Sequence, residues 1–493
     1  MDCTDILKHI LSYLLNYDII KMTSLSKNIN RITKETNFKF MDYDINRAYD
    51  IIKVYKNARV NLEFFNETHD MKKLNLIKDN VIGITSNIEI PEINMKNLEY
   101  LNIRSEEIKK IKIQLKKLKY LCINDYCNPN ISMIISNINP LNNFNNIESL
   151  DLYYAVNVSL SLANFTNLKK LRFSHNNMRN EDIEKLVNLE MICIEHNSNI
   201  TNDAFKNLNK IKVLILYKTK ITSEVLKYLP NINIWSPNKS SDDNYEYMKK
   251  IKKLELLDLY YNSKISDENI KNINIERIIL SGENNITING LNKNIKRIYI
   301  YGNPKIRDKD LKKLNLTLLK LHGNTTISDM GLKFCKDLKM LDLSFNYKIT
   351  NEGLVNMKNL EYLSLKVNLF NHNNITNDAL KNLTKLKYLN LENNKIITDE
   401  GIKPLINLEY LNINRTKKIT INGLINLKKL KEIECEESLL SKKDLHILAK
   451  NNINMKIIYQ YGKSIIISPF YYSKERYFMD FDEFVCESFK TYW

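Results

Sequence analysis

The sequence predicts an α/β solenoid: a curved stack of parallel strands on a concave side, with short helical turns on the convex side. Three observations predict it. A 22-residue stretch, Leu386 to Asn407, returns with variations over most of the 493 residues. Each copy opens with leucine or isoleucine in the pattern L-x-x-L-x-L, as at Leu386, Leu389 and Leu391. Most copies follow one another at 20 to 22 residues, a period that marks a stacked array.

The pattern can be read physically. L-x-L alternation suits a short strand with one buried face, because successive side chains point to opposite sides. An asparagine then lets the chain leave the strand, its amide bonding to loop backbone groups. It stands at Asn176, Asn197, Asn262, Asn303, Asn324, Asn346, Asn368 and Asn394, which predicts a ladder down the stack. Thr201-Asn202-Asp203, Thr350-Asn351-Glu352 and Thr398-Asp399-Glu400 read as helix N-caps with acids in the first turn. Phe205, Leu354 and Ile402 would then turn inward. One copy cannot bury its own leucines, so stability must come from stacking.

With these motifs the chain resembles the leucine-rich-repeat superfamily. Repeat starts fall at Leu98, Leu118, Ile147, Leu168, Leu189, Ile211, Ile232, Leu254, Ile275, Ile295, Leu316, Leu338, Leu360, Leu386, Leu408 and Leu430. The period breaks around Cys127-Asn128-Pro129, in the polar stretch Ser236 to Asn244, and around Phe370 to Asn373, where surface loops are expected.

Residues 1–40 differ in kind. Ile6, Leu7, Ile10, Leu11 and Leu14 share one helical face, and Ile19, Met22, Leu25, Ile29 and Ile32 share another after a break at Asn16-Tyr17-Asp18. Asp5-Ile6-Leu7, Ile10-Leu11-Ser12-Tyr13-Leu14, Asp18-Ile19-Ile20 and Leu25-Ser26-Lys27 resemble the F-box. Cys3-Thr4 replaces the usual Leu-Pro opening, and the tryptophan expected near Ile29 is missing. The resemblance implies that Ile6, Leu7, Ile10, Leu11, Leu14, Ile19 and Ile20 dock on the Skp adaptor of a cullin ubiquitin ligase. Without an adaptor, the same helices would cap the solenoid.

Residues 41–97 read as a connector with degenerate repeats, 98–452 as the solenoid, and 453–493 as a cap or an acidic–aromatic tail. Ile453 and Ile457 are candidates for a closing edge strand. The net charge of +17 invites a nucleic-acid reading, but 57 Asp and Glu are interspersed with 74 Lys and Arg and no long basic run stands out. The Asn-Lys-Ile bias is what AT-rich coding imposes, and it resembles repeat families of large AT-rich DNA viruses. Seven scattered cysteines form no CxxC pair, the start is acidic, and no apolar run suits a membrane span; the expected location is intracellular, cytoplasmic or nuclear.

No nucleophile–histidine–acid spacing and no glycine-rich phosphate loop occurs, so no enzyme activity and no cofactor is expected. A leucine-rich-repeat ligase with its own catalytic cysteine needs more than the 41 residues around Cys486. His175 and His196 occupy equivalent repeat positions, yet only Glu195 stands near as a further ligand, too few for a metal. The candidate target-binding residues follow the last leucine of each strand or lie within it: Tyr153, Tyr154, His175, His196, Tyr217, Tyr260, Tyr261, Tyr299, Tyr301 and Phe345. Stacked strands would align them as an aromatic stripe suited to a protein partner. Tyr100, Tyr120, Tyr362, Tyr388 and Tyr410 belong to the repeat consensus and receive no functional weight. The expected function is a substrate receptor for a Skp–cullin–F-box ligase; the alternative is a scaffold or decoy with no ligase link.

Overall fold

The structure is a computed structural model; it describes residues 39–43, 45–54, 56–64, 70–86, 95–103, 115–123, 146–152, 162, 165–175, 177–238, 245–260, 262–368, 374–451 and 456–458. The F-box-like helices, Tyr153, Tyr154, Asn176, Tyr261 and the C-terminal tail lie outside the described residues. The described chain falls into two compact units, the first ending at Ile232 and the second beginning at Asn233.

In the first unit, strands Lys39–Tyr43, Arg59–Phe64, Val81–Ser86, Tyr100–Ile103, Tyr120–Ile123, Ser149–Leu152, Lys170–Ser174, Met191–Glu195 and Val213–Tyr217 pair in sequence order, all parallel. The second unit repeats the arrangement from Ile234–Ser236 to Lys456–Ile458. Ile457 thus lies in the last of the described strands, paired with Glu432–Glu434. Alternation decides which side is core. Leu341, Leu363, Leu389 and Leu411 are fully buried, while Tyr362, Tyr388 and Tyr410 beside them are half-exposed on the opposite face.

The returning segments are single turns such as Asn180–Ile183, Asn351–Leu354 and Asp399–Ile402. Four residues cannot hold a helix unaided. Each turn is pinned by one inward side chain, with Ile183, Phe205, Leu354 and Ile402 all fully buried. Residues 41–97 are more regular than a worn connector. Helices Ile45–Val54 and Met71–Ile77 alternate with strands that join the ladder, so the array reaches back to Lys39. The strand–helix period is longer there, which hides it from a leucine count. After Leu430 the repeat also persists, with Cys435 fully buried and a ten-residue helix, Lys442–Asn451, on the return path.

The asparagine ladder is built as the residue type dictates. Asn346 is 1 % exposed and accepts from the backbone N–H groups of Lys348 (3.0 Å) and Ile349 (3.1 Å) in its own loop. Its amide donates to the carbonyls of Leu321 (3.1 Å) and Asn324 (3.0 Å) one repeat earlier. Asn197, Asn262, Asn303, Asn324 and Asn394 accept the same pair of loop N–H groups. Asn284 is a further member, donating to Leu259 and Asn262 carbonyls. Thr416 fills the position in its repeat, its hydroxyl donating to the Ile413 carbonyl at 2.8 Å.

A second ladder joins the helical turns, and it corrects two of the expected caps. Thr350 caps its own turn, accepting from the Glu352 N–H at 3.3 Å; Thr201 and Thr398 do not cap theirs. The cause lies one repeat earlier. Asp329 receives both the N–H and the hydroxyl proton of Thr350, so the hydroxyl's lone pairs remain for its own helix. Thr287, Ser328 and Thr420 likewise donate to Asp267, Asp308 and Asp399, and each accepts from its own turn. Where the earlier residue is asparagine, its Nδ2 donates to the threonine hydroxyl and occupies the acceptor. Asn180 does this to Thr201, Asn202 to Thr222, Asn351 to Thr376 and Asn377 to Thr398, and none of these threonines caps. Acceptor-only carboxylate against donor amide therefore sets the cap. Gly353 leaves room for the contact, since a Cβ there would stand 2.6 Å from Asp329 Oδ1.

Candidate functional site

The expected aromatic positions at the strand ends form a run of ring contacts in each unit. In the first unit the rings of His175 and His196 stack at 4.0 Å, and His196 meets Tyr217 edge-on at 5.3 Å. In the second, Tyr260 meets Tyr301 at 5.6 Å, Tyr301 meets His322 at 5.5 Å, and His322 meets Phe345 at 4.7 Å. These residues are half-exposed or exposed. Tyr299 differs: it is 7 % exposed and the Lys320 ammonium sits 5.0 Å from its ring, so it acts in packing.

Much of this placement comes from one backbone position. The residue just before the ladder position, occupied by asparagine, threonine or serine, takes a left-handed conformation, with φ of 50° at His175, 49° at His196, 50° at Lys218, 54° at Phe345 and 50° at Glu437. Gly302 and Gly323 occupy the same position at φ 71° and 58°. Glycine bears this conformation without cost, whereas other residues are strained by roughly 1 kcal/mol or more. The array keeps side chains at the strand-to-loop turn despite that strain.

Burial pushes the His175 imidazole below its ordinary pKa, and the Lys218 charge adds to this; His196 is lowered by burial, then by His175 and Lys218. Lys218→Gly should therefore do two things at once. It should raise stability by about 0.5–1 kcal/mol in chemical denaturation by relieving the left-handed strain. It should also raise both histidine pKa values, read by NMR titration. A variant less stable than the parent would show that the Lys218 side chain contributes more than its backbone strain costs.

Face-to-face imidazoles keep their in-plane nitrogen lone pairs side by side instead of converging on one ion. Among the described residues no group of three or more His, Cys, Asp or Glu is placed to hold a metal. The four described cysteines, Cys122, Cys193, Cys335 and Cys435, are free thiols. Burial pushes the Cys335 and Cys435 thiols up to about 12, far from a reactive thiolate. Among the described residues no helix is long and apolar enough to cross a membrane.

Three features of the strand face were not read from the sequence. Tyr362, Tyr388 and Tyr410, set aside as consensus, stack in register with centroids 4.1 Å apart at both steps and planes within 12° and 4°. Arg172 lies between Asp151 (3.9 Å) and Glu195 (4.0 Å) in the first unit. Asp258 is buried and holds the Tyr260 N–H at 2.9 Å and the Ser236 hydroxyl at 3.1 Å. At the start of many strands a further row alternates in sign. Lys169 meets Glu148 at 2.8 Å, Lys212 meets Glu190 at 2.7 Å, and Lys387 meets Glu361 at 2.6 Å. Many lysines are thus balanced across repeats rather than gathered into a basic patch.

A family model described as Leucine Rich repeat matches residues 166–187 and 382–406. The repeat is a leucine-rich repeat. Leucine-rich-repeat proteins generally mediate protein–protein interaction, and the two matched stretches fall one in each unit. No curated protein matches the chain. The chain is similar to the crystal structure of a TLR13–ssRNA13 complex, with TM-score 0.46 and 16 % identity, covering 76 % of this chain and 60 % of that one. It is similar to the Leptospira interrogans leucine-rich-repeat protein LIC12759, with TM-score 0.38 and 22 % identity, covering 80 % and 99 %. It is also similar to the mouse RP105/MD-1 complex, with TM-score 0.43 and 14 % identity, covering 76 % and 80 %.

Proposed function

We propose that the protein is a non-catalytic substrate receptor. In this reading its leucine-rich-repeat strand face holds a protein target, and its N-terminal segment recruits a Skp–cullin–F-box ubiquitin ligase. The observation that carries the binding half is the run of half-exposed aromatics, Tyr260, Tyr301, His322 and Phe345, in contact with one another at the strand ends of the second unit. Aromatics fixed on a rigid sheet bind with little loss of side-chain freedom and are favoured anchors of protein interfaces. The ligase half is supported by the F-box-like spacing of Ile6, Leu7, Ile10, Leu11, Leu14, Ile19 and Ile20. Operation in a reducing compartment such as the cytoplasm fits the free thiols.

The test has two arms. Skp adaptor and cullin should copurify with the intact chain and be lost with Ile10→Asp/Leu14→Asp, the repeats remaining folded. Failure of both versions to hold an adaptor would leave a leucine-rich-repeat scaffold with no ligase link. Separately, Tyr260→Ala/Tyr301→Ala should weaken target capture by about tenfold or more. Undiminished capture would move the target site off this run of rings.

A further inference from the structure

We infer that the strand face from Met340 to Glu437 docks a lysine- and arginine-rich extended segment of a protein partner. The inference rests on the reading that the strand face binds protein, and it names the chemistry of what binds. Met340 is 36 % exposed and sits in register with Tyr362, which continues through Tyr388 to Tyr410. Four neighbouring strands therefore present one continuous apolar and aromatic row. Because the tyrosines stack face to face, they turn ring edges and phenol oxygens outward. Ring edges suit the methylene stems of lysine and arginine, and phenol oxygens accept from their charged heads.

The charge on this face supplies the complementarity. Beyond the alternating row of Lys339, Glu361, Lys387, Glu409 and Lys431 at the strand starts, its outward strand and turn positions carry Asp342, Glu392, Glu432, Glu434, Glu436 and Glu437 against Lys366 and Arg415. Both cations already meet a carboxylate, Lys366 with Glu392 at 3.2 Å and Arg415 with Glu437 at 3.6 Å. An acidic face is against the trend of a chain whose net charge is +17. It repels nucleic acid and anionic lipid, and it attracts a basic segment. Beside the tyrosines, Ser364, Asn390 and Asn412 stand in register and are held within the face: Ser364 bonds Ser344, Asn390 accepts from the Glu392 N–H, and Asn412 donates to Glu434.

The test is fluorescence anisotropy of the full chain with labelled nona-arginine, with nona-glutamate as the control peptide. Nona-arginine should bind and nona-glutamate should not. Tyr388→Ala/Tyr410→Ala and, separately, Glu432→Gln/Glu436→Gln should each weaken nona-arginine binding by about tenfold. Glu148→Gln/Glu190→Gln, on the alternating row of the first unit, should leave it within about twofold. Tyr388→Phe/Tyr410→Phe keeps the stack if the alanine pair does not fold, and it should still weaken binding by removing the acceptors. Equal losses from the two glutamate pairs would mean general charge attraction and overturn the site, as would binding indifferent to both tyrosine pairs. Target capture lost with Tyr260→Ala/Tyr301→Ala while nona-arginine fails to bind would leave the receptor reading standing and remove this one.

Discussion

Asn346→Ala is expected to lower the stability of the second unit by about 3 kcal/mol, one of the largest effects available from a single polar side chain. The side chain satisfies two loop N–H groups and two carbonyls of earlier loops, all at 3.0–3.1 Å. Alanine leaves these groups in a place where Asn346 itself is only 1 % exposed, so water replaces few of the bonds. An unsatisfied buried group costs roughly 1–3 kcal/mol, and part of the loss will be recovered by relaxation of the loop. Asn346→Thr should be milder, because Thr416 serves at the equivalent position through one hydroxyl bond to Ile413. Urea unfolding of the three proteins checks this. Equal midpoints for parent and alanine variant would mean that backbone stacking alone holds the loops.

What could be read in the sequence follows from how local each cause is. The strand and its asparagine lie within nine residues, so pattern and loop chemistry both showed. Asn284 escaped because it stands nine residues after its repeat start, Ile275, where Asn394 stands eight after Leu386, so the amide falls out of phase. The caps at Thr201 and Thr398 were misjudged because their decisive partners, Asn180 and Asn377, stand 21 residues away. A threonine followed two residues on by an acid cannot report whether the earlier repeat offers a carboxylate or an amide. Residues 45–77 kept the strand–helix order but traded short turns for longer helices, which blurs a leucine-spacing signal.

The strand face was legible by position and less so by role. His175, His196 and Tyr217 touch in the first unit, and Tyr260, Tyr301 and Phe345 join through His322 in the second, because residues at matching repeat positions land near each other in a parallel stack. The same geometry promotes Tyr362, Tyr388 and Tyr410 from consensus filler to a stacked row on an acidic face. A repeat consensus explains why a residue recurs; it says nothing of what the recurrence makes once the copies touch. The left-handed turn at His175 and Phe345 was invisible for a related reason. Only Gly302 and Gly323 advertise it in sequence, and they are two among ten glycines.

Asp258→Asn is expected to stabilise the protein at neutral pH, by up to about 3 kcal/mol. Burial raises the Asp258 carboxyl to about 6 from an ordinary value of 3.8, and the Tyr260 N–H and Ser236 hydroxyl only partly offset that burial. The sign follows from the raised value. Below pH 3.8 the group is protonated folded and unfolded alike and costs nothing. Between 3.8 and about 6 the unfolded chain ionises while the folded one holds its proton, so stability falls with rising pH. Above about 6 the full cost of a buried carboxylate is present. Asparagine keeps the geometry: its Oδ1 can accept from the Tyr260 N–H, and its amide can donate to the Ser236 oxygen. The two proteins should unfold at similar urea concentrations near pH 4.5 and diverge at pH 8, the variant being the more stable, the two pH values standing about 1.5 below and about 2 above the carboxyl's folded value. A gap that is the same at both would mean that the carboxyl does not titrate inside the fold. A strand position between two core leucines, Leu257 and Leu259, would then hold its aspartate in contact with water.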